Sequence, residues 1–84
     1  MRVGLLEIHN SRGKVADGWA SFVVRRAGHA SVYIANDTGR AYWTKATLRF
    51  DDATHTISVG CCNRVVFKRP GDYAAIKSAF TRRQ

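Results

Sequence analysis

The chain has 84 residues, of which 45% are hydrophobic, so it is long enough for one small domain over residues 1–84 and too short for two cores. Its 14 Lys and Arg residues outnumber its 6 Asp and Glu residues and give a net charge of +8, which favours phosphate, an acidic protein surface or anionic lipid as a partner. The apolar run at residues 1–8 is too short for a signal peptide and no stretch is long enough to span a membrane, so we expect a cytoplasmic protein without a membrane partner.

Short segments of alternating apolar and polar residues, separated by turn-forming residues, predict an antiparallel sheet. The predicted strands are residues 3–9, 19–26, 30–35, 42–50, 54–59 and 64–69. The predicted turns lie at residues 10–13, at Asp17-Gly18, and at 27–29, 36–39, 51–53 and 60–63.

A helix is predicted after Pro70-Gly71, which ends the last strand. Asp72 is its predicted N-cap, because its carboxylate can accept hydrogen bonds from the first amides of a helix that runs to about Arg82. Tyr73, Ile76 and Phe80 fall on one face of this helix, and so short a helix must pack to be stable. The predicted fold is therefore α+β: a meander-like antiparallel sheet of five to six strands with one C-terminal α-helix packed on one face.

The two faces of the sheet are predicted to differ in chemistry. Successive side chains of a strand point to opposite faces, so if the more apolar set of each strand faces the helix, the other set is exposed. That exposed set combines aromatic and cationic residues: Trp19, Arg25, Tyr33, Trp43, Lys45, Arg49, Arg64 and Lys68. In the competing interpretation, Trp19 and Trp43 lie in the core or form a homodimer contact, and the cations are simply solvated.

The composition of this face predicts a non-enzymatic protein that binds single-stranded DNA or RNA. Bases would stack on the three rings while the cations follow the phosphates. One alternative is a small inhibitor of the phage or mobile-element type, such as an anti-CRISPR-like protein, which would use the same face to bind a host protein or nucleoprotein complex. A second alternative is a toxin-like ribonuclease, for which His29, at a predicted hairpin tip, is the residue to test, with His55 as a further candidate.

The sequence contains no pattern that predicts a cofactor or a metal site. The cysteines Cys61 and Cys62 form no CxxC or HxxxH pair with the histidines, which argues against zinc. They are adjacent, and because a disulfide between neighbours closes a strained, rarely seen ring, we expect two reduced thiols. A catalytic triad can be composed from either cysteine, His55 and Asp51 or Asp52, but nothing in the sequence fixes its geometry.

Overall fold

The computed structural model describes residues 2–26, 29–39 and 41–82, without the side chains of Val24, Arg26 and Tyr42. The predicted loop at Ala27 and Gly28 lies outside these residues. The described residues form six strands and one helix: β1 (Arg2–Asn10), β2 (Gly13–Arg26), β3 (His29–Asn36), β4 (Ala41–Asp51), β5 (Thr56–Val59), β6 (Asn63–Phe67) and α1 (Pro70–Arg82). Each strand pairs antiparallel with the next, and β1 also pairs with β6, so the sheet closes on itself. The predicted α+β fold is confirmed, with closure as an added feature.

The core fills the inside of the closed sheet. Alternation along the strands turns one apolar set inward, as predicted: Phe22, Val32, Leu48, Ile57, Val59, Val65 and Phe67 are all buried. Hiding these side chains from water is the main favourable contribution to folding, at about 1.5–3 kcal/mol for each large one. The opposite set of each strand, which carries the predicted binding residues, therefore faces outward.

Helix α1 covers the end of the barrel where β4 and β6 finish and β5 begins. Tyr73, Ile76 and Phe80 are buried in the main core cluster. The Phe50 ring lies 6.2 Å from the Tyr73 ring and 5.5 Å from the Phe80 ring, and the Phe67 ring lies 5.9 Å from that of Tyr73. The predicted apolar face of the helix is thus confirmed. Among the described residues, no helix has the length and apolar character that a membrane crossing requires.

The helix begins three residues earlier than predicted, at Pro70 instead of Tyr73, so Asp72 is not its N-cap. Pro70 is the first helical residue, a position where its fixed φ fits and its missing N–H costs nothing. The Arg69 carbonyl accepts hydrogen bonds from the amides of Asp72 and Tyr73. Asp72 instead lies in the first turn, where its negative charge favours the positive end of the helix dipole and its carboxylate pairs with the Arg69 guanidinium at 3.1 Å.

A bulge in β1 explains why apolar residues occupy both parities of this strand. Val3, Leu6 and Ile8 are buried, whereas Leu5 is 56% exposed. Leu5 has a φ of 54°, and the pairing of β1 with β2 shifts register between Val3 and Leu6. The extra residue switches which parity faces the core, so β1 supplies inward residues on both sides of the bulge.

The predicted turn at Asp17-Gly18 is wrong, because β2 starts at Gly13 and runs through this dipeptide. Gly18 pairs with Leu6 of β1 and Asn36 of β3. A Cβ atom at Gly18 would collide with the backbone carbonyl oxygen of Ala35. The glycine is therefore required by the close approach of β3, which is a different use of glycine from the turn that Asp-Gly usually signals.

A Gly18→Ala variant should be less stable than the wild type by about 1–3 kcal/mol, because β3 must move to admit the methyl group. Thermal unfolding followed by circular dichroism checks this, with Gly4→Ala as the control. Gly4 lies in β1, and a Cβ there meets no atom within 4 Å. Equal melting temperatures for the two variants would contradict the close approach of β2 and β3.

Candidate nucleic-acid interface

Three aromatic rings lie side by side on the outer face of strands β2, β3 and β4. Tyr33 and Trp43 are direct cross-strand partners, and their ring centroids are 4.9 Å apart. Trp19 is diagonal to Tyr33 across the β2–β3 pair, with centroids 5.4 Å apart. Trp43 is 60% exposed, while Trp19 and Tyr33 are half-buried. We call these three residues the aromatic row.

The aromatic row continues onto β1 through Arg2, which is not among the eight predicted binding residues. The Arg2 guanidinium carbon lies 4.2 Å from the centroid of a Trp19 ring, a cation–π contact. Because Val3 is buried and side chains alternate along a strand, Arg2 lies on the outer face. This alternation is the sequence signal that identifies Arg2 as part of the surface. The predicted first strand begins at Val3 and so leaves Arg2 out. The contact covers part of Trp19 and leaves Trp43 as the more accessible ring.

Two of the predicted cations border a depression beside Trp43. Ser31 is buried at 3% exposure, and its Oγ accepts a hydrogen bond of 3.0 Å from Arg25 Nε, which fixes the guanidinium against β3. Lys45 is the cross-strand partner of Ser31 on β4. Together with Trp43 and Thr44 these residues line a depression of ≈ 320 Å³. A ring and two cations around one depression match the two parts of a nucleotide, its base and its phosphate.

Arg49 on β4 and Arg64 on β6 form a separate pair, on either side of β5. Both are cross-strand partners of Ser58, and both are exposed. They line a second depression, of ≈ 250 Å³, with Ser58 and the β5–β6 turn. Arg49 lies six residues along β4 from Trp43, or roughly 20 Å at about 3.3 Å per residue. The eight predicted residues are thus on the outer face but do not form one compact patch.

Lys68 belongs to a charge cluster on β1, β2 and the end of β6. This cluster adjoins the Trp19 end of the aromatic row, because Asp17 lies two residues before Trp19 on β2 and on the same face. Its Nζ is 3.0 Å from Asp17 Oδ1. Lys14 Nζ is 3.1 Å from the same oxygen and 3.9 Å from Glu7 Oε2, and His9 Nε2 is 2.9 Å from Glu7 Oε1. Lys68 is therefore neutralised by a carboxylate, unlike the other predicted cations.

The carboxylates form their ion pairs with cations outside the two depressions. Besides Glu7 and Asp17, Asp52 pairs with Lys77 at 2.7 Å and Asp72 pairs with Arg69. Within residues 2–26, 29–39 and 41–82, no carboxylate forms an ion pair with a cation of the two depressions: Arg25, Lys45, Arg49 or Arg64. The positive charge at these depressions is consequently not compensated by an ion pair within the described part of the chain.

The ion pairs shift the titration of the paired carboxyl groups. The hydrogen bond with His9, followed by the charge of Lys14, lowers the pKa of Glu7. The hydrogen bonds with Lys68 and Lys14 lower the pKa of Asp17, and those with Lys77 and the Tyr73 hydroxyl lower the pKa of Asp52. Burial, and then the bond to Asp52, raises the pKa of Tyr73. All of these shifts favour the charge states found at neutral pH.

Acid should destabilise the protein through these carboxylates. Their pKa values are lower in the folded chain, so their stabilising contribution is present above the ordinary values of 4.5 for Glu and 3.8 for Asp. It is lost as the pH falls through the lower folded values. Asp17→Asn should therefore lower the melting temperature at pH 7 but not at pH 2. Asp37→Asn is the control, because Asp37 forms no ion pair among the described residues; equal pH profiles for both variants would contradict the role of Asp17.

The residues considered for catalysis are separated. Cys61 and Cys62 lie in the turn between β5 and β6, whereas His55 lies before β5, at its other end, with its ring 5.3 Å from that of Tyr73. The structure does not bring together the residues from which a triad can be composed. His29 is exposed at the start of β3 and pairs with Thr47 of β4, so it does not lie beside His55.

The expectation of two reduced thiols is wrong, because the structure joins Cys61 to Cys62 in a disulfide. The expectation rested on the rarity of a disulfide between neighbouring residues. The predicted turn at 60–63 does contain both cysteines, which follow Gly60, whose φ is 68°. Among the described residues, no group of three or more potential ligands is arranged to hold a metal ion.

Similarity to other proteins provides no basis for assigning a function. Comparison of the chain with protein-family models, curated proteins and solved structures gave no match. The functional argument therefore depends on the geometry and charge of the aromatic row and the two depressions.

Proposed function

We propose that this protein binds single-stranded nucleic acid on the outer face of β2, β3 and β4. The observation that carries the proposal is the aromatic row, in which Trp43 is 60% exposed beside the uncompensated cations Arg25 and Lys45. Stacking of a base on an aromatic side chain contributes about 1–3 kcal/mol and tolerates any base. Cations near the stacked base add an electrostatic contribution that depends on salt.

The arrangement of the rings supports a single strand over a duplex. Adjacent rings of the row are tilted by 47° and 50°, so they do not stack face to face on each other and Trp43 can offer a ring face to a base. A base can reach that face only if it is not already stacked and paired in a double helix. Phosphates on either side of the base would then lie near the cations that flank the row.

A titration at two salt concentrations tests the proposal. Labelled single strands of DNA and RNA are mixed with the purified chain at 50 and 200 mM salt, and the anisotropy of the label is measured together with tryptophan fluorescence. We expect binding that quenches tryptophan fluorescence, weakens with salt and exceeds the binding of a duplex of equal length. Unchanged tryptophan fluorescence, or equal affinity for the duplex, would contradict a stacking surface.

Lys45 and Lys68 provide a matched test of where the nucleic acid lies. Lys45→Gln and Lys68→Gln remove the same charge, but Lys68 is paired with Asp17, whereas Lys45 lines the depression beside Trp43 and has no carboxylate partner among the described residues. Removing one phosphate contact should lower the salt dependence of log K by about 0.7 for a single strand. We expect this change for Lys45→Gln and a smaller one for Lys68→Gln. Equal effects would indicate that only net charge matters.

The same surface also suits a protein partner, which is the second candidate function. Tryptophan, tyrosine and arginine are the residues that most often dominate protein–protein affinity, and here they are contiguous on one face. The partner would carry an acidic or nucleoprotein surface, as expected for an inhibitor of the phage or mobile-element type. In this case a pull-down with the tagged chain recovers a protein that nuclease treatment does not release, and Trp43→Ala abolishes the recovery.

A further inference from the structure

The depression between Arg49 and Arg64 has a composition suited to an anion. Its lining contains two guanidinium groups, the hydroxyls of Ser11 and Ser58, and the amide of Asn63, and none of the six carboxylates of the chain contributes to it. The residues are supplied by the β1–β2 turn and by β4, β5 and β6, so the pairing of these strands holds them together. Five donor side chains and no carboxylate constitute a site that selects negative charge.

The sheet register keeps the two arginines close without a counter-charge. Because both pair directly with Ser58, their Cα atoms are two strand spacings apart, or about 10 Å. Side chains as long as arginine can both reach a ligand placed above Ser58. The described residues provide no carboxylate partner for either one, so an anion from outside can contact both guanidinium groups without competition from a carboxylate of the described residues. Guanidinium groups are well suited to phosphate, which they bind through parallel hydrogen bonds.

A track on the outer face of β4 connects this depression to the aromatic row. Trp43, Lys45, Thr47 and Arg49 follow each other at every second position and are all exposed. The track is roughly 20 Å long, at about 3.3 Å per residue. Each strand of a DNA double helix advances about 3.4 Å per nucleotide, so a single strand that kept this rise would cover the distance with roughly six nucleotides.

We infer that the Arg49–Arg64 depression binds a phosphate group of the same strand whose bases stack on the aromatic row. This inference rests on the proposed function for the identity of the strand, while the phosphate site itself depends only on the depression. A strand long enough to reach both places gains affinity from the second contact, and a strand that covers the row alone does not. Binding therefore depends on length as well as on charge.

The length dependence is tested with a trinucleotide, which spans about 10 Å when stacked, and a dodecanucleotide, which spans about 40 Å. The variant is Arg49→Gln with Arg64→Gln. Its control is Arg69→Gln with Arg82→Gln, which removes the same charge from the two ends of α1. We expect the first variant to bind the dodecanucleotide about 5- to 25-fold more weakly at 0.1 M salt, for one or two lost phosphate contacts, with a much smaller change for the trinucleotide. Equal losses for both lengths, or a loss no larger than that of the control, would overturn the inference.

A second measurement separates failure of this inference from failure of the proposed function. Pyrophosphate is titrated into the isotope-labelled chain, and backbone amide shifts are followed by NMR. Saturable shifts at Ser58, Asn63 and Arg64 that disappear in the Arg49→Gln, Arg64→Gln variant establish a phosphate site even if no oligonucleotide binds. Absence of these shifts overturns the site, even if the aromatic row binds single strands.

Discussion

A Trp43→Ala variant should bind single-stranded nucleic acid about 5- to 150-fold more weakly than the wild type. This range corresponds to the about 1–3 kcal/mol that one base gains by stacking on an aromatic ring. Trp43 is the most accessible ring of the aromatic row, at 60% exposure, so its removal takes away stacking surface while disturbing the core little. Anisotropy of a labelled oligonucleotide measures the effect without depending on tryptophan fluorescence.

Two controls make the Trp43 result specific. Trp43→Phe keeps a ring at the same position and should retain most of the affinity, whereas Val15→Ala trims another exposed apolar side chain, 54% exposed, away from the row. The ratio of the wild-type and Trp43→Ala affinities should stay the same at 50 and 200 mM salt, because stacking is not an ionic contact. A ratio that approaches one at the higher salt concentration would contradict the stacking role.

An Ile76→Ala variant should lose about 2–5 kcal/mol of stability, the usual range for removing a large buried aliphatic side chain. Ile76 has 0% exposure in the cluster that joins α1 to the barrel. A chain of 84 residues is expected to have a free energy of unfolding of about 4–13 kcal/mol. This substitution therefore threatens the folded state itself. Urea denaturation followed by circular dichroism provides the measurement.

Leu5→Ala is the control for Ile76→Ala, because it also shortens an aliphatic side chain but at a position that is 56% exposed. A change within about 0.5 kcal/mol is expected there, as for most surface substitutions. If Ile76→Ala were as mild as Leu5→Ala, the helix would not be part of the cooperative core. In that case something other than the helix would have to shield Phe50 and Phe67 from water at this end of the barrel.

The alternation of apolar residues was sufficient to predict which side chains of β2, β3 and β4 face outward. This is why Trp19, Tyr33 and Trp43 were predicted on one face, where the structure has them. The alternation is a local property with a period of two, and it needs no knowledge of which strands are neighbours. The same reasoning located Tyr73, Ile76 and Phe80 on the buried face of the helix, from the helical period.

The errors came from features that depend on neighbours in space. Asp17-Gly18 has the composition of a turn, but its glycine is needed because the backbone of β3 passes close to it. The ion pair of Lys68 with Asp17 depends on the pairing of β1 with β6, which brings the end of β6 near Asp17. The closure of the sheet divides the predicted binding residues into separate groups. Closure depends on which strands pair, and the alternation of side chains along a single strand contains no information about pairing.

The pairing of carboxylates with cations outside the two depressions also affects the kinetics of encounter. With Glu7, Asp17, Asp52 and Asp72 engaged elsewhere, the molecule carries an uneven field that can turn it toward a polyanion before contact. Such steering raises association rates by factors of about 10 to 1,000 and fades with ionic strength. Stopped-flow measurements should accordingly find that salt slows the arrival of a nucleic-acid ligand more than it hastens its departure.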